Sequence, residues 1–169
     1  MELNRLSGEL EKTLTDNLKL YDEMGKALEE ELASLKAYSL PRLDSAIKWK
    51  MLVSSKLSLI EKTRNAMVSK IADKLGMSRA ELSLKMLAEN MGGEVEARLL
   101  SLRSLLNEAI KNVTEKNDFN RVFIEKLMSV NAASAVHLRE LLNPESTYAK
   151  SGSTYVAAFK PGQVVSRTY

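Results

Sequence analysis

Apolar residues recur along this chain at spacings of three and four, which is the period of a helix and not of a strand. Over residues 3–38 the repeat runs through Leu3, Leu6, Leu10, Leu14, Leu18, Tyr21, Met24, Leu28, Leu32 and Leu35, predicting a first long helix. Pro41 suits the opening turn of a second helix, where its missing N–H costs nothing. That helix is predicted along Leu43, Ile47, Lys50, Leu57, Ile60, Arg64, Met67, Ile71 and Leu75, with Gly76 providing a left-handed end. Ser78-Arg79-Ala80-Glu81 has capping-box spacing, and Met77 and Leu82 can form a hydrophobic staple around it. A short helix is therefore expected from Ser78 to Met91, ended by Gly92-Gly93, a pair that costs a helix interior about 2 kcal/mol relative to two alanines.

The longest seam follows. Val95, Leu99, Leu102, Leu106, Ala109, Val113, Asn117, Asn120, Ile124, Leu127, Asn131, Ser134, Leu138 and Leu141 are spaced by three or four with no Gly or Pro between them. This predicts one unbroken helix that stops at Asn143-Pro144, because proline cannot continue it and disfavours helical angles at its predecessor. At 1.5 Å per residue the three long helices span about 54, 51 and 73 Å and the short one about 20 Å. The short helix therefore either extends the line of helix two or folds back, leaving the end of the long helix projecting. Short connections favour antiparallel neighbours in both cases. The expected fold is an all-α, elongated antiparallel bundle of three long helices and one short helix over residues 1–143. A flexible C-terminal tail is expected over 144–169.

Composition narrows the function. The 169 residues are 44% hydrophobic and 28% charged, with 5% aromatics and no cysteine, which excludes disulfides and thiolate chemistry. No apolar run is long enough to span a membrane, and Met1-Glu2-Leu3-Asn4 lacks signal-peptide character, so a cytoplasmic location without stable membrane insertion is expected. The net charge of +3 is unevenly distributed: residues 1–40 carry −4, 41–75 carry +5, 76–143 are neutral and 144–169 carry +2. The basic second segment can be neutralised by the acidic first, which argues against a nucleic-acid partner.

No catalytic, cofactor or metal constellation stands out. His137 is the only histidine, and Glu29-Glu30-Glu31 points around a helix, as a solvated face does. His137-Leu138-Arg139-Glu140-Leu141 lacks the His-x-x-Lys-Gly of phosphotransfer bundles, yet a histidine phosphotransfer domain stays as one alternative. A structural coiled-coil adaptor, self-associating through the long helix or tail, is another. On helix two, Lys50 and Arg64 flank the buried seam, either snorkelling toward acids of helix one or meeting a partner. Asn117, Asn120, Asn131 and Ser134 occupy seam positions where polar groups can fix register or mark a stretch uncovered until a partner arrives.

Met128, Ala132, Ala135 and Leu142 widen the apolar face beside Leu127, Ser134, Leu138 and Leu141, and the small residues of 131–135 would let a second helix approach closely. Beyond Pro144, three tyrosines and Phe159 stand among Ser, Gly, Pro and Thr, a pattern expected to hold short docking elements.

Three features in this order resemble the FlgN family of flagellar type III export chaperones: Lys50 and Arg64 fourteen apart, Asn117-Asp118-Phe119-Asn120, and Tyr148-Ala149-Lys150-Ser151-Gly152 after the proline stop. The resemblance implies a non-enzymatic cytoplasmic chaperone. It would bind hook-associated proteins, prevent their premature assembly and deliver them to the flagellar export gate. It implies cargo on residues 119–142, covering Ile124, Leu127, Met128, Asn131, Ala135, Leu138 and Leu142. It also implies docking to cytoplasmic components of the export apparatus through the motif from Tyr148 to Gly152. The helix after Ser78 and the extended tail depart from shorter members, and no family role carries over to Tyr155, Phe159 or Tyr169.

Overall fold

A computed structural model describes residues 2–77 and 83–142, and among them four helices and no strand are present. They are α1 (Glu2–Lys36), α2 (Leu40–Leu75), α3 (Leu84–Met91) and α4 (Gly93–Leu142). The chain divides into two units, Met1–Ile124 and Glu125–Tyr169.

Pairings within the first unit fix its topology. Along α1 and α2, Thr13 lies beside Met67 (3.4 Å), Glu23 by Lys56 (4.0 Å) and Glu31 by Lys50 (2.8 Å). The numbers rise on one helix as they fall on the other, so these helices are antiparallel. Along α1 and α4, Glu11 meets Arg98 (3.1 Å), Glu29 meets Lys116 (2.6 Å) and Glu31 meets Asn120 (2.8 Å), and both numbers rise together. These two helices run parallel, as an up-down-up bundle requires.

Small side chains bring α1 and α2 closest. Among the described residues, theirs is the pair of helices with extensive Cα approach within 8 Å. Ser7, Ala27 and Ser34 of α1 and Ala46 and Ala72 of α2 are buried. The Ser34 hydroxyl satisfies itself by donating to the Glu30 carbonyl at 2.7 Å, so it can lie at the interface without a penalty for an unpaired group. The principal apolar cluster sits toward the other end of the unit, where Leu6, Leu10, Leu14, Ile71, Ala72, Leu87, Ala88, Leu99 and Leu106 pack together. Each fully buried leucine or isoleucine there contributes about 1.5–3 kcal/mol.

The short helix settles the choice between extending helix two and folding back. Ser83, Leu84 and Leu87 line a small cavity with Leu10, Leu14, Arg64 and Val68, so α3 begins beside the interior of α2, well before its end at Leu75. It folds back. Its start also differs from the expectation: the N-cap is Ser83, in extended conformation, whose side chain accepts the Met86 N–H at 3.1 Å. A helix continuous from Ser78 is thereby excluded, since Ser83 has left helical angles. The capping-box sequence 78–82 lies outside the described residues, as do Asn143-Pro144 and the tail.

The ends of α1 and α2 share one geometry built on different residues. At the end of α2 the N–H of Gly76 (φ 66°) reaches the Asp73 carbonyl, and that of Met77 reaches Ala72. At the end of α1 the Tyr38 N–H reaches Leu35 and the Ser39 N–H reaches Ser34, with Tyr38 at φ 51°. The first helix thus stops at Lys36, two residues earlier than expected, and Tyr38 holds the left-handed position that glycine normally fills. An L-residue with a Cβ costs roughly 1–2 kcal/mol there, and Tyr38 is 76% exposed, so its ring offsets little of this. Tyr38→Gly is expected to raise stability by about 1 kcal/mol, or roughly 2–4 °C in Tm for a chain of this size. Thermal unfolding followed by circular dichroism checks it, and a lower Tm contradicts the assignment of strain.

Candidate functional site

Among the described residues, the most interior charged group is Glu31. It is 4% exposed, and a buried carboxylate is tolerated only when paired and hydrogen-bonded. Lys50 of α2 donates to both of its oxygens at 2.8 Å. Asn120 of α4, itself 3% exposed, donates to Glu31 Oε2 and to the Leu28 carbonyl, each at 2.8 Å. One carboxylate therefore ties three helices. Its neighbours point elsewhere: Glu29 to Lys116 at 2.6 Å, Glu30 to Arg42 at 2.8 Å. The expectation of a solvated face holds for Glu29, which is exposed, and is corrected for Glu31, which is buried at a junction. Consecutive residues do point around the helix, but here each direction meets a basic or amide group of a neighbouring helix.

The two basic seam residues of α2 behave differently. Lys50 snorkels to an acid of α1, whereas Arg64 bonds through two guanidinium nitrogens to Glu61 of its own helix. The expectation that Arg64 reaches an acid of helix one is corrected. Facing it from α1 is Tyr21, whose phenol is pushed above its ordinary pKa chiefly by burial, with Glu61 adding and Arg64 opposing. Hydrogen bonding to Glu61 in turn raises Arg64 further, against burial.

Beside the Glu31 junction lies an open groove of about 620 Å³. Met51, Ser54, Ser55 and Leu57 of α2 form one wall, Val113, Thr114 and Asn117 of α4 the other, and Met24 and Leu28 of α1 the floor. Of the seam asparagines, Asn120 is buried and fixes register while Asn117 faces this groove and is exposed. Phe119 and Phe123, four apart on α4, stack with ring centroids 6.5 Å apart, a pairing that the i, i+4 spacing itself encodes.

The register of α1 against α4 has a defined limit. Offsets of 87 residues at Glu29 and Lys116 and 89 at Glu31 and Asn120 place the last turn of α1 level with the last residues of the first unit. In the second unit the described part is the continuation of α4, residues 125–142. Met128, Val130, Val136, Leu138 and Leu141 are large apolar residues exposed on it. Of the expected cargo-contact residues, Ile124 and Leu127 are half-buried, and Met128, Asn131, Ala135 and Leu138 are exposed. Residue 142 is helical. Positions 124, 127, 128, 131, 135, 138 and 142 share one face of this helix, because it is continuous through them. Tyr148 and Gly152 lie outside the described residues.

Sequence reasoning missed the Glu31 junction. The charge complementarity of the first two segments signalled that acids of α1 meet bases of α2, but which carboxylate is interior depends on packing. Glu31→Ala would leave Lys50 and Asn120 without their shared acceptor. The expected loss is about 2–4 kcal/mol, reduced from the full penalty of breaking a buried pair because Lys50 keeps a quarter of its side chain exposed. Adding Lys50→Met should recover part of that loss in denaturant titrations. Purely additive effects would count against direct coupling.

Neither a curated protein nor a solved structure gives a significant match to this chain. A family model does: that of the FlgN protein family matches residues 1–155, which takes in all four helices. With that match over nearly its whole length, the chain belongs to the FlgN family of flagellar export chaperones.

Proposed function

We infer that the exposed stripe of α4 is a cargo-binding face and that its cargo is the hook-associated proteins, held back from premature assembly and delivered to the flagellar export gate. The observation that carries this reading is the exposure of Met128 and Leu138 on this face, with Val130, Val136 and Leu141 also exposed around the same helix, which stays regular to residue 142. Leaving so many large apolar side chains in water forfeits stabilisation that burial would bring, which is the mark of a surface kept for a partner. Family membership supports the chaperone role in general. The work is binding, with no cofactor and no chemical step.

An amphipathic helix of the cargo, laid along Ile124, Leu127, Met128, Asn131, Ala135, Leu138 and Leu142, would bury about 1,200–2,000 Å² in total, enough for a specific complex. Alanine and serine at 132–135 keep the ridge low, so the cargo backbone can come close. The site of action is the cytoplasm, where unassembled cargo is made. No helix among the described residues is long and apolar enough to cross a membrane. Tyr148, in the segment running to Gly152, is the proposed contact for cytoplasmic components of the export gate.

Leu127→Asp combined with Leu138→Asp is expected to abolish co-purification of the hook-associated proteins while the far-ultraviolet circular dichroism stays helical. Undiminished capture removes the cargo assignment. Tyr148→Ala is expected to spare cargo binding and to weaken titration against the soluble gate domain by about tenfold or more, the loss of one well-buried aromatic contact. Equal affinity for the gate domain dismisses that contact.

A further inference from the structure

The helix α4 is attached to the first unit in two unlike ways. Up to Leu106 its hold is chiefly apolar: beside the Arg98–Glu11 ion pair, Leu99 and Leu106 are buried in the principal cluster, with Val95, Leu100 and Leu102 packed against it. From residue 107 to 124 one residue of the helix is buried, and that residue is Asn120. Ala109, Val113, Phe123 and Ile124 are half-buried there, and the hydrogen-bonded links run from Lys116 to Glu29 and from Asn120 to the Leu28 carbonyl and Glu31. Alongside them the open groove already separates Val113, Thr114 and Asn117 from α2.

We propose that residues 107–124 of α4 form a releasable arm, hinged near Leu106 and latched by Asn120, whose opening uncovers the apolar floor of Met24 and Leu28. The latch is built so that opening strands no buried charge: the Lys116–Glu29 pair it breaks is open to solvent. Glu31 keeps both hydrogen bonds from Lys50, which belong wholly to the hairpin of α1 and α2. The Leu28 carbonyl lies within α1, where a helical N–H four residues on still satisfies it. The freed amide of Asn120 is neutral and passes to water. A latch whose closed form is hydrogen-bonded and whose open form leaves every ion pair of the hairpin intact is a two-state element with a small gap. The latch is made by residues of the first unit alone and is independent of which cargo the chaperone carries.

Hydrogen exchange of the full chain, resolved by peptide mass spectrometry, tests the arm. Once released, residues 107–124 lose their tertiary support and their helix opens locally, so in the unaltered protein their amides are expected to exchange at least about tenfold faster than those of 95–106 and of α1 residues 10–34. Asn120→Ala removes one neutral and one charge-assisted hydrogen bond. It should speed exchange of 107–124 by about tenfold to a hundredfold while 95–106 and 10–34 change by less than about twofold. Lys116→Ala, at a partly exposed pair, should act on the same stretch by about threefold at most, and serves if the Asn120 variant does not fold. Equal protection of 107–124 and 95–106 in the unaltered protein overturns the proposal. So does acceleration spread evenly over all helices in either variant.

Discussion

A carboxylate that is 4% exposed cannot be left unpaired, and that requirement at Glu31 organises the bundle. Two of its hydrogen bonds come from Lys50 and a third from Asn120, so the same two oxygens fix the register of both α2 and α4 against α1 at one level. An apolar contact at this point would tolerate a shift of one turn, since leucines recur every three or four residues. The polar junction tolerates it less, because a shifted helix would break the pairing of Lys50 and Asn120 with the acid and, for Asn120, with the Leu28 carbonyl as well. Register is thus fixed by three side chains, while most of the burial is contributed elsewhere.

That division of labour runs through the whole first unit. Leu10, Leu14, Ile71, Leu87 and Leu99 hold one end together by apolar packing, reinforced by the fold-back of α3. The other end relies on the close approach of α1 and α2 over small residues and on the polar links to α4. The groove beside Met24 and Leu28 is the geometric result: α4 stands off from α2 while keeping its bonds to α1. In the second unit, residues 125–142 leave Met128, Val130, Val136, Leu138 and Leu141 exposed to solvent.

Much of this was legible from spacing. The three-and-four repeats located α1, α2 and α4 to within two residues at the ends that the structure describes, because helical burial leaves a period that loops do not. Gly76 and Gly92-Gly93 marked their breaks correctly, glycine being the residue that accepts positive φ. Tyr38 was missed for the same reason: nothing in a tyrosine announces a left-handed cap, and the hairpin imposes it on whichever residue falls there. The start of α3 was misplaced because two serines, Ser78 and Ser83, offer N-cap chemistry and only packing against Arg64 and Val68 distinguishes them.

The candidate site divides along the same line. Sequence alone determined that residues 124–142 form one helix with a broad apolar face, that the first two segments carry opposite charge, and that no thiolate or multi-histidine chemistry is available. Those properties depend on residue type and spacing, which the chain carries whatever its fold. Only the tertiary structure decided that Asn120 is buried while Asn117 and Asn131 are exposed, that Glu31 rather than Glu29 or Glu30 lies inside, and that Met128 and Leu138 stand in water. Each of those outcomes turns on which neighbour stands opposite a given helical face, and periodicity is blind to the neighbour.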